Sequence, residues 1–308
     1  MSSTTSDRSN ITFVDSEASL LLLLDSIVNL AVDPPSLYID LEGINLGRHG
    51  SISIVSLYIA PSQKTYLIDI HSLGRAAFST TTNRGTSLKT VLESSTIPKV
   101  VFDIRNDSDA LFSLFQISVD GIKDLQLLEL ATRTGSRNYV SGLAKCIEQQ
   151  SPISAAAKTE WRLAKDRCQR LFIPDKGGRY EVFNERPLRP ELIWYCKADV
   201  ALLPGLYGVY TAKLRPAGQA FWRVTVRNAT KDRIKQSQSP RYDGNSKSKV
   251  LGWDSATIDA MTESWNEDIM MEAFVGEEEE EPEDDWYEDS ARDCIGWEED
   301  MIKNGEMF

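Results

Sequence analysis

The sequence predicts an α/β protein, a mixed β-sheet flanked by helices. Two observations lead to that class. Short aliphatic and β-branched runs bounded by turn residues fill the first part of the chain, and helical patterns dominate after Gly142. A β–α crossover lies between the two regions. The 41% apolar and 26% charged fractions are those of an ordinary globular protein.

Ile11–Val14 reads as a short strand. Ser16–Ala31 is a leucine-rich helix capped by Ser16 or Asp15 and stopped by Asp33-Pro34-Pro35. Three strands follow, Leu37–Glu42, Ser51–Ile59 and Thr65–Ile70. Thr80–Gly85 is a polar loop and Ser87–Ser94 a helix. Pro98 precedes a strand at Lys99–Asp103, and a helix covers Asn106–Phe115. Ile122–Leu125 resembles a short strand, and Leu127–Arg133 a helix. The pattern is helical from Gly142 to Phe172, with a loop at Gly177-Gly178. Pro190 opens a helix reaching about Leu214, before Pro216 and Gly218. A last helix covers Gln219–Lys235.

Order is expected to fade beyond Lys235. Gln236–Ser248 is rich in Ser, Gln, Asn and Lys and reads as a linker. The organisation expected is a flexible stretch over 1–10, one domain over 11–235, and a linker with a partly disordered acidic tail over 236–308. The net charge of −12 hides a split. Residues 261–308 hold 19 Asp and Glu against Arg292 and Lys303, whereas the rest holds 27 acids against 32 bases. A mildly basic body permits a polyanionic partner. The block Glu277–Glu281 cannot fold alone, and it solvates the chain or docks a protein partner. Trp253, Trp265, Phe274, Trp286, Tyr287 and Trp297 interrupt this region, more aromatics than a purely solvating tail carries.

Four cysteines without CxxC spacing argue against zinc and against a disulfide framework. The run Ser19–Leu24 is too short to span a bilayer, and residues 1–10 lack secretory features. A soluble intracellular protein, nuclear or cytoplasmic, is the expectation.

Three short acidic clusters carry the chemistry. Asp40 and Glu42 are two apart on an expected strand, so both face one side. Side by side they repel, and the pair should retain a proton or hold a cation. Taken alone, it reads equally as a strand end with two solvated acids. Asp107 lies in the first turn of a helix, where any acid complements the macrodipole; Asp103 and Asp109 flank it. Tyr195 and Asp199 are four apart on a helix and share a face. Arg48, Arg105 and Arg186 lie near these clusters and could touch phosphates or form salt bridges. Lys213–Lys249 holds ten Lys and Arg against Asp232 and Asp243, a backbone-binding arm or an ordinary solvated helix and linker.

The order and surroundings of the clusters resemble the DEDD family of 3′→5′ exonucleases, in its ribonuclease D-like branch that includes Egalitarian-type proteins. The first motif is Leu37-Tyr38-Ile39-Asp40-Leu41-Glu42-Gly43, the second Lys99 through Leu111, and the third Arg186-Pro187-Leu188 with Tyr195 through Pro204. The resemblance spans roughly 11–215. It implies a ribonuclease H-like sheet and a two-metal site for Mg²⁺ or Mn²⁺, with ions ~3.5–4 Å apart. Asp40 and Glu42 match the first acidic pair, Asp107 the second-motif acid, and Tyr195 and Asp199 the Tyr-type third motif. Phe102 departs from the family, where a His is frequent. Neither His49 nor His71 lies in the third motif, which excludes the His-type subfamily. The implied activity is metal-dependent removal of nucleotides from a single-stranded 3′ end of RNA or DNA. A catalytically silent nucleic-acid-binding adaptor on the same fold is the alternative.

Overall fold

A computed structural model describes residues 10–277. Nearly all of the expected flexible N-terminus lies outside these residues, as does Glu278–Phe308, with the tail's expected disorder and its protein partner. No helix among the described residues is long and apolar enough to cross a membrane.

Six strands form one mixed sheet: β1 Ile11–Val14, β2 Leu37–Glu42, β3 Ile54–Ile59, β4 Lys64–Asp69, β5 Lys99–Val101 and β6 Ile122–Asp124. Their spatial order is β1-β4-β3-β2-β5-β6. β2, β3 and β4 form an antiparallel meander, and β1, β5 and β6 add in parallel. The helices are α1 Glu17–Ser26, α2 Ile70–Leu73, α3 Ala76–Ser79, α4 Leu88–Glu93, α5 Arg105–Phe115 and α6 Leu125–Thr132. They continue as α7 Leu143–Gln150, α8 Ala155–Phe172, α9 Pro190–Ala201, α10 Leu203–Leu214, α11 Ala220–Ser237 and α12 Ser255–Glu277.

The two-residue period of β2 divides the molecule. Leu37, Ile39 and Leu41 enter a core with Val55, Leu57, Ile68, Leu20 and Leu111. On the opposite side Ile54 and Leu67 pack with Phe172, Phe183, Leu192, Tyr195 and Cys196. Alternation sends Asp40 and Glu42 to that second side, where α8 and α9 lie. Gly43 lets the chain turn away at once: a Cβ there would lie 1.9 Å from the Ser51 carbonyl oxygen.

Several expected boundaries differ. Gly142–Phe172 is two helices, because Pro152 interrupts and Ser154 caps α8 through the Ala157 N–H. Pro190–Leu214 is also two helices. Pro204 lacks the N–H that would continue the ladder, so α9 ends at Ala201 and α10 begins at Leu203 with the proline in its first turn. The first helix stops at Ser26, short of Ala31. The strand expected from Ser51 begins at Ile54, and α2 and α3 had no sequence counterpart.

The largest difference lies beyond Lys235, where order persists. Arg48 donates to the carbonyls of Ser237, Ser239 and Pro240 at 2.8–3.0 Å. Tyr242 and Lys249 both donate to Asn106 Oδ1, and Trp253 is buried against Trp222. The expected linker is therefore a strap fixed by side-chain hydrogen bonds. Ser, Gln and Lys supply no apolar signal by which composition would reveal it. The helix α12 follows at Ser255, where a linker and tail were expected.

The start of α5 rests on a buried network. Asp124 is fully buried and accepts from the N–H groups of Asp103, Ile104 and Gln126. Arg233 of α11 donates to it at 2.7 Å. Asp124 thus serves as a cap from the neighbouring strand, since no side chain within α5 caps it. Asp124→Ala would leave these N–H groups and Arg233 unpaired, and should cost about 3–5 kcal/mol in urea unfolding. A loss below about 1 kcal/mol would show that the network is not a support.

Candidate active site

The strand β2 and the helix α9 bring the first and third acidic clusters together. Carboxylate oxygens of Asp40, Glu42 and Asp199 lie within 4.8 Å of one another. Asp40 pairs with Ser56 and Glu42 with Ile54 across the antiparallel ladder, which fixes both at the end of a central strand. Asp199 is buried on α9, one helical turn from Tyr195. The Tyr195 ring is held edge-on by Phe172 at a centroid distance of 5.0 Å.

Asp107 lies buried in the first turn of α5. Its neighbours are disposed differently. Asp109 receives Arg48 through its backbone N–H and its Nε, both at 2.8 Å. Asp103, at a backbone φ of 63°, receives Arg105 at 2.6 and 2.8 Å. Burial opposes ionisation of Asp103, but Arg105 and Arg233 outweigh it and hold that carboxyl below its ordinary range. At Asp107 burial and the Asp40 charge act together, push the carboxyl well up, and are only partly offset by Lys249. The Asp40 charge thus adds to burial at Asp107, whereas arginines hold Asp103 ionised.

The same imbalance runs through the site. Burial and the Asp199 charge raise the Asp40 carboxyl to about 7, against the pull of Lys165. Burial, then Asp40 and Asp199, push Glu42 well above its ordinary value. The Tyr195 phenol is likewise pushed well above 10 by burial and by Glu42, Asp199 and Asp40. A cluster of this kind gains from cations. The oxygens it offers are all carboxylate, a donor set that suits Mg²⁺ and Mn²⁺.

The three arginines near the clusters are committed to the protein. Arg48 holds Asp109 and the strap. Arg105 holds Asp103 and donates to the Lys249 carbonyl. Arg186 pairs with Asp69 and donates to the carbonyls of Phe183 and Glu185. Of the two uses open to them, phosphate contact and salt bridges, each makes a salt bridge.

Sequence reasoning missed Lys165. It lies on α8, and its Nζ donates to both Asp199 carboxylate oxygens at 2.6 and 2.8 Å. The ammonium sits 5.0 Å from the ring centroids of both Trp161 and Tyr195. A signal existed. Trp161, Lys165, Cys168 and Phe172 form the buried stripe of α8, so Lys165 is a cation on an otherwise apolar helix face.

A family model described as 3′-5′ exonuclease matches residues 14–215. Among curated proteins, the chain is 35% identical over 160 residues to mouse (Mus musculus) piRNA biogenesis protein EXD1, covering 49% of this chain and 25% of that protein. The human (Homo sapiens) protein of the same name is 33% identical over 155 residues, covering 49% and 27%. The chain thus spans about a quarter of the length of these relatives. Among solved structures, Trypanosoma brucei RNase D in complex with GMP superposes with a TM-score of 0.61 at 17% identity, covering 79% of this chain and 69% of that one. The same enzyme in complex with RNA U12 gives 0.60 at 18%, covering 84% and 83%. Escherichia coli RNase D gives 0.51 at 16%, covering 75% and 51%. The mixed sheet is therefore of the expected ribonuclease H-like class.

The crowded acids give the metal-free protein an unusual pH dependence. A folded-state carboxyl raised from 3.8 to about 7 means the native state binds protons more tightly than the unfolded state. Stability should then fall as pH rises from about 4 to about 7, by up to about 1.4 kcal/mol per pH unit for Asp40. Urea unfolding in EDTA across that range measures the slope, and Asp40→Asn should flatten it. A slope unchanged by Asp40→Asn would mean that the Asp40 carboxyl is not raised in the folded protein.

Proposed function

This chain belongs to the 3′-5′ exonuclease family, in the DEDD group of the RNase D and EXD1 type, and from that premise we propose that it is a metal-dependent 3′→5′ exonuclease acting on single-stranded RNA or DNA ends and releasing nucleoside 5′-monophosphates. The observation that carries the reading is the convergence of Asp40, Glu42 and Asp199 within 4.8 Å. Asp107, on which the Asp40 charge acts, and Tyr195, on which Glu42, Asp199 and Asp40 act, complete the acid and phenol set.

In this reading Asp40, whose charge acts on Glu42, Asp107 and Tyr195, would help to hold both of two divalent ions. Glu42 and Asp199 would complete one position and Asp107 would support the other. When bound, the ions acidify water and offset charge on the phosphoryl and leaving oxygens. Tyr195 orients the attacking water by a hydrogen bond. With its phenol pushed above 10 it stays protonated at neutral pH and is no general base. Cys146, Cys168 and Cys196 are buried and free, which fits a reducing, intracellular setting.

A second reading, a catalytically silent nucleic-acid-binding adaptor, is favoured by one observation: the Lys165 ammonium already engages both oxygens of Asp199.

A 5′-labelled single-stranded RNA and the matching DNA, incubated with Mg²⁺ or Mn²⁺, separate the two. The enzyme should shorten one or both from the 3′ end, in a ladder abolished by EDTA. Asp40→Ala should lower the rate by about 10³-fold, as loss of several kcal/mol of charge stabilisation requires. Tyr195→Phe should lower it by about 10²-fold. Tight RNA binding without shortening of any substrate would replace the enzyme with the adaptor.

A further inference from the structure

We propose that Lys165 is a built-in cation on the Asp199 side of the acidic cup, so that the substrate-free protein takes up one divalent ion, on the Asp40 and Asp107 side, and a second only when the ammonium leaves Asp199. This rests on the exonuclease reading for the cup itself and goes beyond it in assigning the occupancy of each side.

Three observations converge. The first is the contact: one ammonium spans both Asp199 oxygens at 2.6 and 2.8 Å. The second is the seat: Lys165 and Asp199 are both buried, and the ammonium lies between the faces of Trp161 and Tyr195, each at 5.0 Å. Two aromatic faces favour a cation and give Lys165 a fixed place rather than one of many solvent rotamers. The third is the charge balance. Four carboxylates match two divalent ions, and Lys165 already offsets one of the four. A divalent ion coordinated by Asp199 would face the ammonium across a few ångströms of protein, where like charges repel far more than in water. Asp40, Glu42 and Asp107 have no lysine or arginine ion pair among the described residues.

The alternative is a lysine that shares Asp199 with a metal at no cost, the carboxylate accepting from one and coordinating the other. The two differ in stoichiometry. Mn²⁺ binding to the full chain should be measured by calorimetry and electron paramagnetic resonance at neutral pH. An Asp40→Asn, Glu42→Gln double variant serves as the baseline for ions held by the acidic tail. Wild type should bind one Mn²⁺ above the baseline, with the six-line signal of an isolated ion. Lys165→Met should bind two, with the broadened signal of a magnetically coupled pair, the second at least about tenfold tighter than any second ion in wild type. Lys165→Gln serves if the methionine variant does not fold, and Lys165→Arg should behave as wild type.

A coupled pair in wild type would overturn the proposal, with or without a foldable variant, and would leave the exonuclease reading standing. Identical two-ion binding by wild type and Lys165→Met would do the same. No Mn²⁺ above the baseline in any variant would remove this proposal and the metal-site reading together.

Discussion

The constraint on which the structure turns is that like charges are forced together. Asp40 and Glu42 share a face of β2, and α9 lowers Asp199 onto that face. Such a group has to be held against its own repulsion. It takes a central strand with neighbours on both sides, a helix packed across it through Leu192, Tyr195 and Cys196, and a buried aromatic wall behind. The packing energy of that second core is what keeps the acids from spreading. The proton affinities of Asp40, Glu42, Asp107 and Tyr195 all rise, first because burial removes water from these groups and then because their neighbours carry like charge.

Around the cup the same residue types are treated in the opposite way. Asp69, Asp103, Asp109 and Asp124 each have an arginine, and each serves the framework. The division is chemical rather than positional, since Asp103, Asp107 and Asp109 are neighbours in sequence. An acid with a fork of guanidinium hydrogen bonds is satisfied and inert. An acid surrounded by other acids is left to attract a cation. Lys165 falls between these cases, because a single ammonium answers only one of the four charges.

The parts legible in the sequence are those governed by local period. Alternation on β2 places Asp40 and Glu42, and the i, i+4 spacing on α9 joins Tyr195 to Asp199. The choice among Asp103, Asp107 and Asp109 depends on which arginines arrive from Arg48 and Arg105, which spacing alone does not tell. The helix breaks at Pro152 and Pro204 are hard to place from sequence, because apolar periodicity on both sides outweighs a single proline. Lys165 reaches the site from a helix 34 residues before Asp199, through a contact that only tertiary packing defines. The strap beyond Lys235 escaped notice because its order comes from carbonyls accepting arginine hydrogen bonds. Such bonds leave no trace in hydropathy.

The Arg233–Asp124 bond has a bearing on where this module ends. The family match stops at residue 215, yet the guanidinium that secures the α5 origin belongs to α11, and the Lys249 beside Asp107 comes later still. A fragment cut at the edge of the matched region would retain every acid of the cup and lose the brace under one of them. The physical module reaches at least to Trp253, so homology marks out the chemistry here while underestimating the scaffold.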